Sequence, residues 1–307
     1  MRNIYAIGET VLDIIFKQGK PADAKPGGSM LNTAVSLGRL DCKIHLITEF
    51  TRDHVGNLIH DFLHKNNVST DHVSYYDVGK TALALAFLDE KSDASYVFYK
   101  DYPDERLNVK LPDIQKNDIV LFGSFFSITA PVRKNLVKLL NHARQREAII
   151  LYDPNFRKSH LDDLPETQPF ILENVRMADI VRGSDEDFKC IFNTENVGEA
   201  YNYIKKECKN LVYTASSTAV YLRTPENQIE KEIQQIQPVS TIGAGDNFNA
   251  GLIYGFLKEN VTREQLISGS TEIRWNKILD YAVVFSREVC LTYENYIPLE
   301  FAKNFKT

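Results

Sequence analysis

Cysteine is scarce and scattered: Cys42, Cys190, Cys208 and Cys290 stand far apart, with no pair at the short spacing that zinc sites or redox motifs require. That argues against a cysteine-built metal centre and leaves buried free thiols in a reducing cytosol. Basic excess is also missing, since 36 Lys plus Arg face 41 Asp plus Glu, for a formal charge of −5 with both signs spread along the chain. No positive stripe is available for a polyanion, so nucleic-acid binding is not expected. No apolar run approaches the length of a membrane span, and Glu9 comes too early for a signal-peptide apolar region. A cytoplasmic protein with no membrane partner is expected, in which the glycosylation tripeptides Asn67-Val68-Ser69 and Asn260-Val261-Thr262 carry no meaning. Repeats, low-complexity segments and Pro/Gly-rich linkers are lacking too, which predicts a single domain over 1–307.

What is present is enough apolar material for a large core, 43% of residues with 11% aromatic. Short apolar runs at Asn3 to Gly8, Ile44 to Thr48, Asp118 to Gly123, Ala148 to Tyr152, Asp179 to Arg182 and Asn210 to Thr214 alternate with helical stretches. Thr129 to Arg146 is one such helix, with Val132, Leu136, Leu139, Leu140 and Ala143 on one stripe. The pattern predicts an α/β fold, a doubly wound, mostly parallel sheet flanked by helices, with ligands at the carboxyl ends of the strands. Two stretches, about 11–26 and 69–104, break the alternation. In the second, Thr81 to Leu88 and Ala94 to Tyr99 read as strands around a turn at Asp89 to Asp93. Together they predict a small β-sheet standing off the domain as a lid or a homodimer contact.

The sharpest motif is Ser240-Thr241-Ile242-Gly243-Ala244-Gly245-Asp246-Asn247, which opens a helix with apolar Phe248, Leu252, Ile253 and Phe256. Two glycines one residue apart permit a tight turn, and N–H groups at a helix N-terminus bind anions. A carboxylate beside such a site is suited to accepting a proton, so Asp246 reads either as a general base or as a helix cap after a plain Gly turn. Gly27-Gly28-Ser29-Met30-Leu31-Asn32 leads into a second helix, where Asn32 could donate to and accept from a polyol or serve as a cap. Asp13 could accept two hydroxyls or sit solvated at a strand edge. Asp153-Pro154-Asn155-Phe156-Arg157 follows a strand directly, and the Arg157 fork could clamp a phosphate.

Two apparent motifs fail. Gly79-Lys80-Thr81 ends like a P-loop, but Ser74 stands where its first Gly belongs and the following residues alternate as in a strand. His60-Asp61-Phe62-Leu63-His64 spaces its histidines like a zinc protease, but Asp replaces the Glu base, and a solvated helix face is expected.

In this order the segments resemble the ribokinase family of carbohydrate kinases across essentially the whole chain. The resemblance implies an ATP-dependent phosphotransferase acting on a sugar hydroxyl, with Mg2+ and two small-molecule partners, sugar and ATP. It implies that Asp246 is the base, that Gly243, Ala244 and Gly245 form the anion hole, and that Asp13, Gly28, Asn32, Phe98, Asn155 and Arg157 hold the sugar. Ser184, Asp187, Thr214, Ser216 and Thr241 fall at nucleotide-side positions. Ser240 stands where the family usually has the Asp that helps hold potassium. Ser184-Asp185-Glu186-Asp187 replaces an Asn-x-x-Glu, and Thr214 to Ala219 replaces Thr-x-Gly-x-x-Gly. The segments 153–157, 80–89 and 96–99 look most like fructokinases, so fructose to fructose 6-phosphate is the first expectation. The alternatives are 2-keto-3-deoxygluconate or another alcohol as acceptor, or a catalytically impaired sugar-binding regulator.

Overall fold

Runs such as Ile4–Ile7 and Ile149–Asp153 are buried at every position, which a strand achieves only when both faces of its sheet are covered. In the computed structural model, which describes residues 2–88 and 94–306, these runs form the middle of a large sheet. The expected turn at Asp89 to Asp93 lies outside the described residues. In chain order the strands are β1 (Ile4–Ile7), β2 (Val11–Lys17), β3 (Lys20–Gly27), β4 (Ile44–Thr51), β5 (Val68–Ser69), β6 (Val73–Tyr76) and β7 (Lys80–Leu88). They continue with β8 (Ala94–Asp101), β9 (Ile119–Gly123), β10 (Ile149–Asp153), β11 (Ile180–Ser184), β12 (Leu211–Ala215), β13 (Ala219–Arg223) and β14 (Gln228–Glu232). The helices are α1 (Ser29–Arg39), α2 (His54–Lys65), α3 (Ala130–Gln145), α4 (Leu164–Met177), α5 (Asp185–Phe192), α6 (Val197–Ile204), α7 (Ala244–Lys258), α8 (Arg263–Ser268), α9 (Trp275–Cys290) and α10 (Leu299–Lys306).

The large sheet runs β14-β13-β12-β11-β10-β9-β1-β4-β5, with β6 beside the end of β4. It is parallel from β5 to β12 and closes on one side with the antiparallel β12-β13-β14 meander. Alternate residues feed two cores, as the strand pleat requires. Ile4, Ala6, Leu121 and Leu151 pack with α1, α7 and α9 on one face, and Tyr5, Ile7, Phe122 and Tyr152 pack with α3 and α4 on the other. The chain winds outward from β1 in one direction and from β9 in the other. The carboxyl ends of these two strands therefore flank the crevice where a doubly wound sheet takes its ligand.

A second sheet, ordered β3-β2-β7-β8, stands apart. Its register puts Asp13, Ala84 and Phe98 in one cross-strand row, and Ile14, Leu85 and Val97 in the next, on the opposite face. One expectation needs correction: β6, inside the stretch 69–104, belongs to the large sheet. It pairs with Thr48–Thr51, and its Tyr75 packs edge-on against Phe50 at 5.4 Å beneath the Arg52 guanidinium at 3.8 Å.

Candidate active site

The site begins where two helix N-termini meet. Gly28 precedes α1 with φ +126°, and a Cβ there would lie 2.3 Å from the Glu9 carbonyl oxygen. Gly243 precedes α7 with φ +79°, and a Cβ there would lie 2.5 Å from the Asn295 carbonyl oxygen. Both turns thus require glycine for conformation and for space. Ser29 Oγ donates to Asp246 Oδ1 at 2.6 Å, and Asn32 Nδ2 donates to Oδ2 at 2.8 Å. Thr33 Oγ1 donates to the Asp246 carbonyl at 2.8 Å. Burial pushes the Asp246 pKa up, against the pull of the Ser29 and Asn32 hydrogen bonds; the Asp153 carboxylate raises it further and Arg157 lowers it. The result is a carboxylate held in one orientation and more basic than an exposed one. Asn32 Oδ1 is buried without a hydrogen-bond partner among the described residues, an acceptor available to a hydroxyl. In the loop, Ile242 N–H donates to Ser240 Oγ and Ala244 N–H to the Thr241 carbonyl, each at 3.2 Å. These bonds shape the turn that leads into the first N–H groups of α7, which have no partner within the helix.

Asp13 lies against Gly27, where a Cβ would approach its Oδ2 to 1.9 Å. Burial raises its pKa to about 6, with Lys25 and Arg157 pulling it down. Arg157 thus acts on Asp13 and Asp246 alike, and is the charge that links the lid sheet to the base. Its loop is fixed by Asp153 and Asp187: Asn155, at φ 39°, donates its N–H to Asp153 Oδ1 at 3.1 Å, and Phe156 N–H donates to Asp187 Oδ1 at 2.6 Å. Phe98 is half-exposed on the Asp13 face of the lid and stacks on Tyr96 at 6.0 Å.

Of the nucleotide-side positions, Ser184, Asp187, Thr214 and Ser216 sit at or just past the ends of β11 and β12, and Thr241 lies in the loop before α7. Asp187 Oδ2 accepts from Ser184 N–H and Oγ–H, both at 2.6 Å, and Asp187 N–H donates back to Ser184 Oγ, a capping box at the start of α5. Burial and the Asp153 charge push Asp187 up to about 6 against those donors. Both of its oxygens are engaged, so the carboxylates that face outward here are Asp185 and Glu186. Among the described residues no three His, Cys, Asp or Glu side chains group as a metal site. Thr214 is buried and accepts from Arg182 Nη2 at 3.1 Å. Ser216, at φ 46°, turns the exposed β12–β13 hairpin and donates to Asp185 Oδ2 at 3.1 Å. Thr241 is exposed.

The structure adds residues that the motifs did not reveal. Ser29 and Thr33 hold Asp246, Tyr96 feels the charges of both Asp13 and Arg157, and Arg182 and Asn249 both donate to Asp153 Oδ2. Arg182 carried a signal, since a charged residue within the apolar run of a central parallel strand needs a buried partner. A cleft of about 790 Å³ lined by Arg2, Asn3, Asp118 and Lys258 opens at the amino ends of the strands and contains none of these groups.

Known proteins share this fold. Solved structures match in fold: fructokinase from Vibrio cholerae in a fructose, ADP and calcium ion bound form has a TM-score of 0.83 at 21% identity, over 100% of this chain and 99% of its own. Aminoimidazole riboside kinase from Salmonella enterica, complexed with aminoimidazole riboside and an ATP analog, has a TM-score of 0.82 at 18% identity, over 99% and 100%. In sequence, probable fructokinase-2 of Arabidopsis thaliana is 26% identical over 266 residues, covering 84% of this chain and 78% of that protein. Fructokinase of Vibrio alginolyticus is 25% identical over 256 residues, covering 82% and 83%. Residues 1–271 match the model of the pfkB family carbohydrate kinases, and the chain therefore belongs to that family of sugar-phosphorylating phosphotransferases.

Proposed function

We propose that the chain transfers the γ-phosphoryl group of ATP to fructose, giving fructose 6-phosphate. The observation that carries this reading is the Asp246 carboxylate, buried, raised in pKa and aimed by Ser29 and Asn32 beside the N-terminus of α7. Asp246 takes the hydroxyl proton as that oxygen bonds to the γ-phosphorus, and the bond to the β-phosphate oxygen breaks to release ADP. The N–H groups at the start of α7 face the charge on the moving phosphoryl group. Asp13 and Asn32 accept and donate hydrogen bonds to sugar hydroxyls, and Arg157 pairs with a phosphate or the sugar edge. Phe98 with Tyr96 closes over the ring from the lid. Thr241 and Ser216 lie along the nucleotide's path, whereas Ser184, Asp187 and Thr214 support that wall from behind. Magnesium arriving with the nucleotide would be held by its phosphates and by Asp185 and Glu186, and would neutralise phosphate charge. Fructose is favoured because the curated relatives named above carry the name fructokinase.

The test is ADP release over fructose, 2-keto-3-deoxygluconate, ribose and nucleosides, with and without potassium. Fructose should turn over fastest, and potassium should add little, since Ser240 offers a hydroxyl engaged with Ile242 N–H. Asp246→Asn should lower kcat by roughly 10²- to 10⁴-fold while leaving sugar affinity largely unchanged; undiminished turnover rules Asp246 out as the base. A second reading, a sugar-binding regulator, draws on the non-glycine hairpin at Ser216. Calorimetry showing tight sugar binding without ATP binding would select it.

A further inference from the structure

Arg182 is a buried cation in an electrostatically costly place. Its side chain is 8% exposed, and its guanidinium lies against the first turn of α7: a Cβ on Gly245 would meet Nη1 at 3.0 Å, Nη2 at 3.4 Å and Cζ at 3.6 Å. Both terminal nitrogens are nearer than Cζ, so the Nη1–Nη2 edge of the guanidinium points at Gly245. The N-terminus of a helix carries a partial positive charge, so a cation there is repelled where an anion would be attracted. Asp153 offsets part of this through Nη1 at 3.1 Å, but that carboxylate also accepts from Asn249 Nδ2 and from Asn155 N–H. Thr214 Oγ1 takes Nη2, the Phe248 ring lies 5.1 Å from Cζ, and Nε is buried without a partner among the described residues. A structural ion pair has no need to crowd a helix N-terminus or to exclude a side chain at Gly245. Two positive ends pressed together in a poorly screened place become favourable when a polyanion sits in front of them.

From this arrangement we infer that Arg182 is a positioning residue for phosphoryl transfer. Its fixed charge, aimed by Asp153 and Thr214, reinforces the field of the α7 N-terminus from behind Gly245, and Gly245 lacks a side chain so that this charge can come close. The inference rests on the kinase reading, and its test separates the two. Arg182→Met, Arg182→Lys and the near-isosteric Thr214→Val are compared with the wild type in steady-state kinetics and in calorimetric titrations with inorganic tripolyphosphate and with ADP. Arg182→Met should lower kcat roughly a hundredfold, with the sugar KM moving less than about threefold. Tripolyphosphate affinity should fall about tenfold with ADP affinity little changed, because the lost charge lies behind the transferring group. Arg182→Lys should recover part of both losses. Thr214→Val, which frees one guanidinium nitrogen without removing charge, should lower kcat a few-fold at an unchanged melting temperature.

Wild-type values of kcat and tripolyphosphate affinity in Arg182→Met would overturn the inference. Should Arg182→Met not fold, unchanged kcat in both Arg182→Lys and Thr214→Val would overturn it equally. A wild type that phosphorylates no sugar would count against the kinase reading, and the tripolyphosphate comparison would still decide Arg182. A wild type that does not bind tripolyphosphate sinks both.

Discussion

At Asp13 the requirements of sugar binding and of stability oppose each other. The half-buried carboxyl lies against Gly27, with Lys25 on the neighbouring strand, Arg157 from the loop after β10 and Tyr96 from β8 around it. Burial lifts its pKa from 3.8 to about 6, so ionising it in the folded chain costs roughly 3 kcal/mol. The sign follows from linkage: a carboxyl raised on folding contributes stability that is fully present below about pH 4 and lost as the pH climbs through about 6. Asp13→Asn removes that dependence. Its melting temperature should match the wild type near pH 4 and exceed it at pH 8. The wild-type KM for sugar should fall as the pH rises through about 6, because the ionised group is the one that accepts hydroxyls. A melting difference that does not change with pH would show that Asp13 titrates normally.

Helix α7 ties the base to the rest of the molecule, and the space for it comes from glycine. A Cβ on Gly251 would meet the Tyr281 carbonyl oxygen at 2.4 Å and the Ala282 Cα at 2.5 Å; one on Gly255 would meet the Ile278 Cα at 2.9 Å. These are backbone atoms of α9, so nothing small can rotate away. Gly251→Ala should therefore cost about 1–3 kcal/mol by overpacking, despite the better helix propensity of alanine. The cost should appear as a melting temperature several degrees lower, with kcat reduced as Asp246 shifts. An unchanged melting curve would mean that α9 can move. The start of α7 was legible in the sequence, because two glycines and a carboxylate before an apolar helix form a local signal. The contact with α9 was not, since Gly251 meets Tyr281 only through the tertiary fold. Ser184 to Asp187 shows the converse: read in the sequence only as a nucleotide-side segment, it forms a capping box in which Asp187 closes back on Ser184.

For the whole molecule, the alternation of apolar runs and helical stretches revealed the central parallel sheet, because strands covered on both faces must be apolar throughout. The edges were less legible. β13 is only five residues long and β14 has Ile229 as its one apolar residue, so both gain their place by antiparallel pairing, and β6 is a four-residue segment, Val73-Ser74-Tyr75-Tyr76, held by Phe50 and Arg52. The lid was legible as strands, but its two faces appear only in the register. The Asp13 face turns to the site. The opposite face gathers Ile14, Phe16, Leu83, Leu85, Phe87, Val97 and Tyr99, with Phe16 stacked on Phe87 at 4.9 Å and Val97 and Tyr99 47% and 58% exposed. A contiguous apolar face on a sheet ending in the β8 edge strand calls for cover. We predict that a second copy supplies it, because the same face on a partner would be equally apolar and a two-fold pairing would match like with like. The wild type should then run in light scattering at about twice its 35.1 kDa chain mass, and Leu85→Glu with Val97→Glu should run as a monomer. The monomer should keep its melting core but lose sugar affinity, because the lid that carries Asp13 and Phe98 would no longer be steadied by a partner. A wild type that is monomeric at micromolar concentration would leave this face without a second copy to cover it.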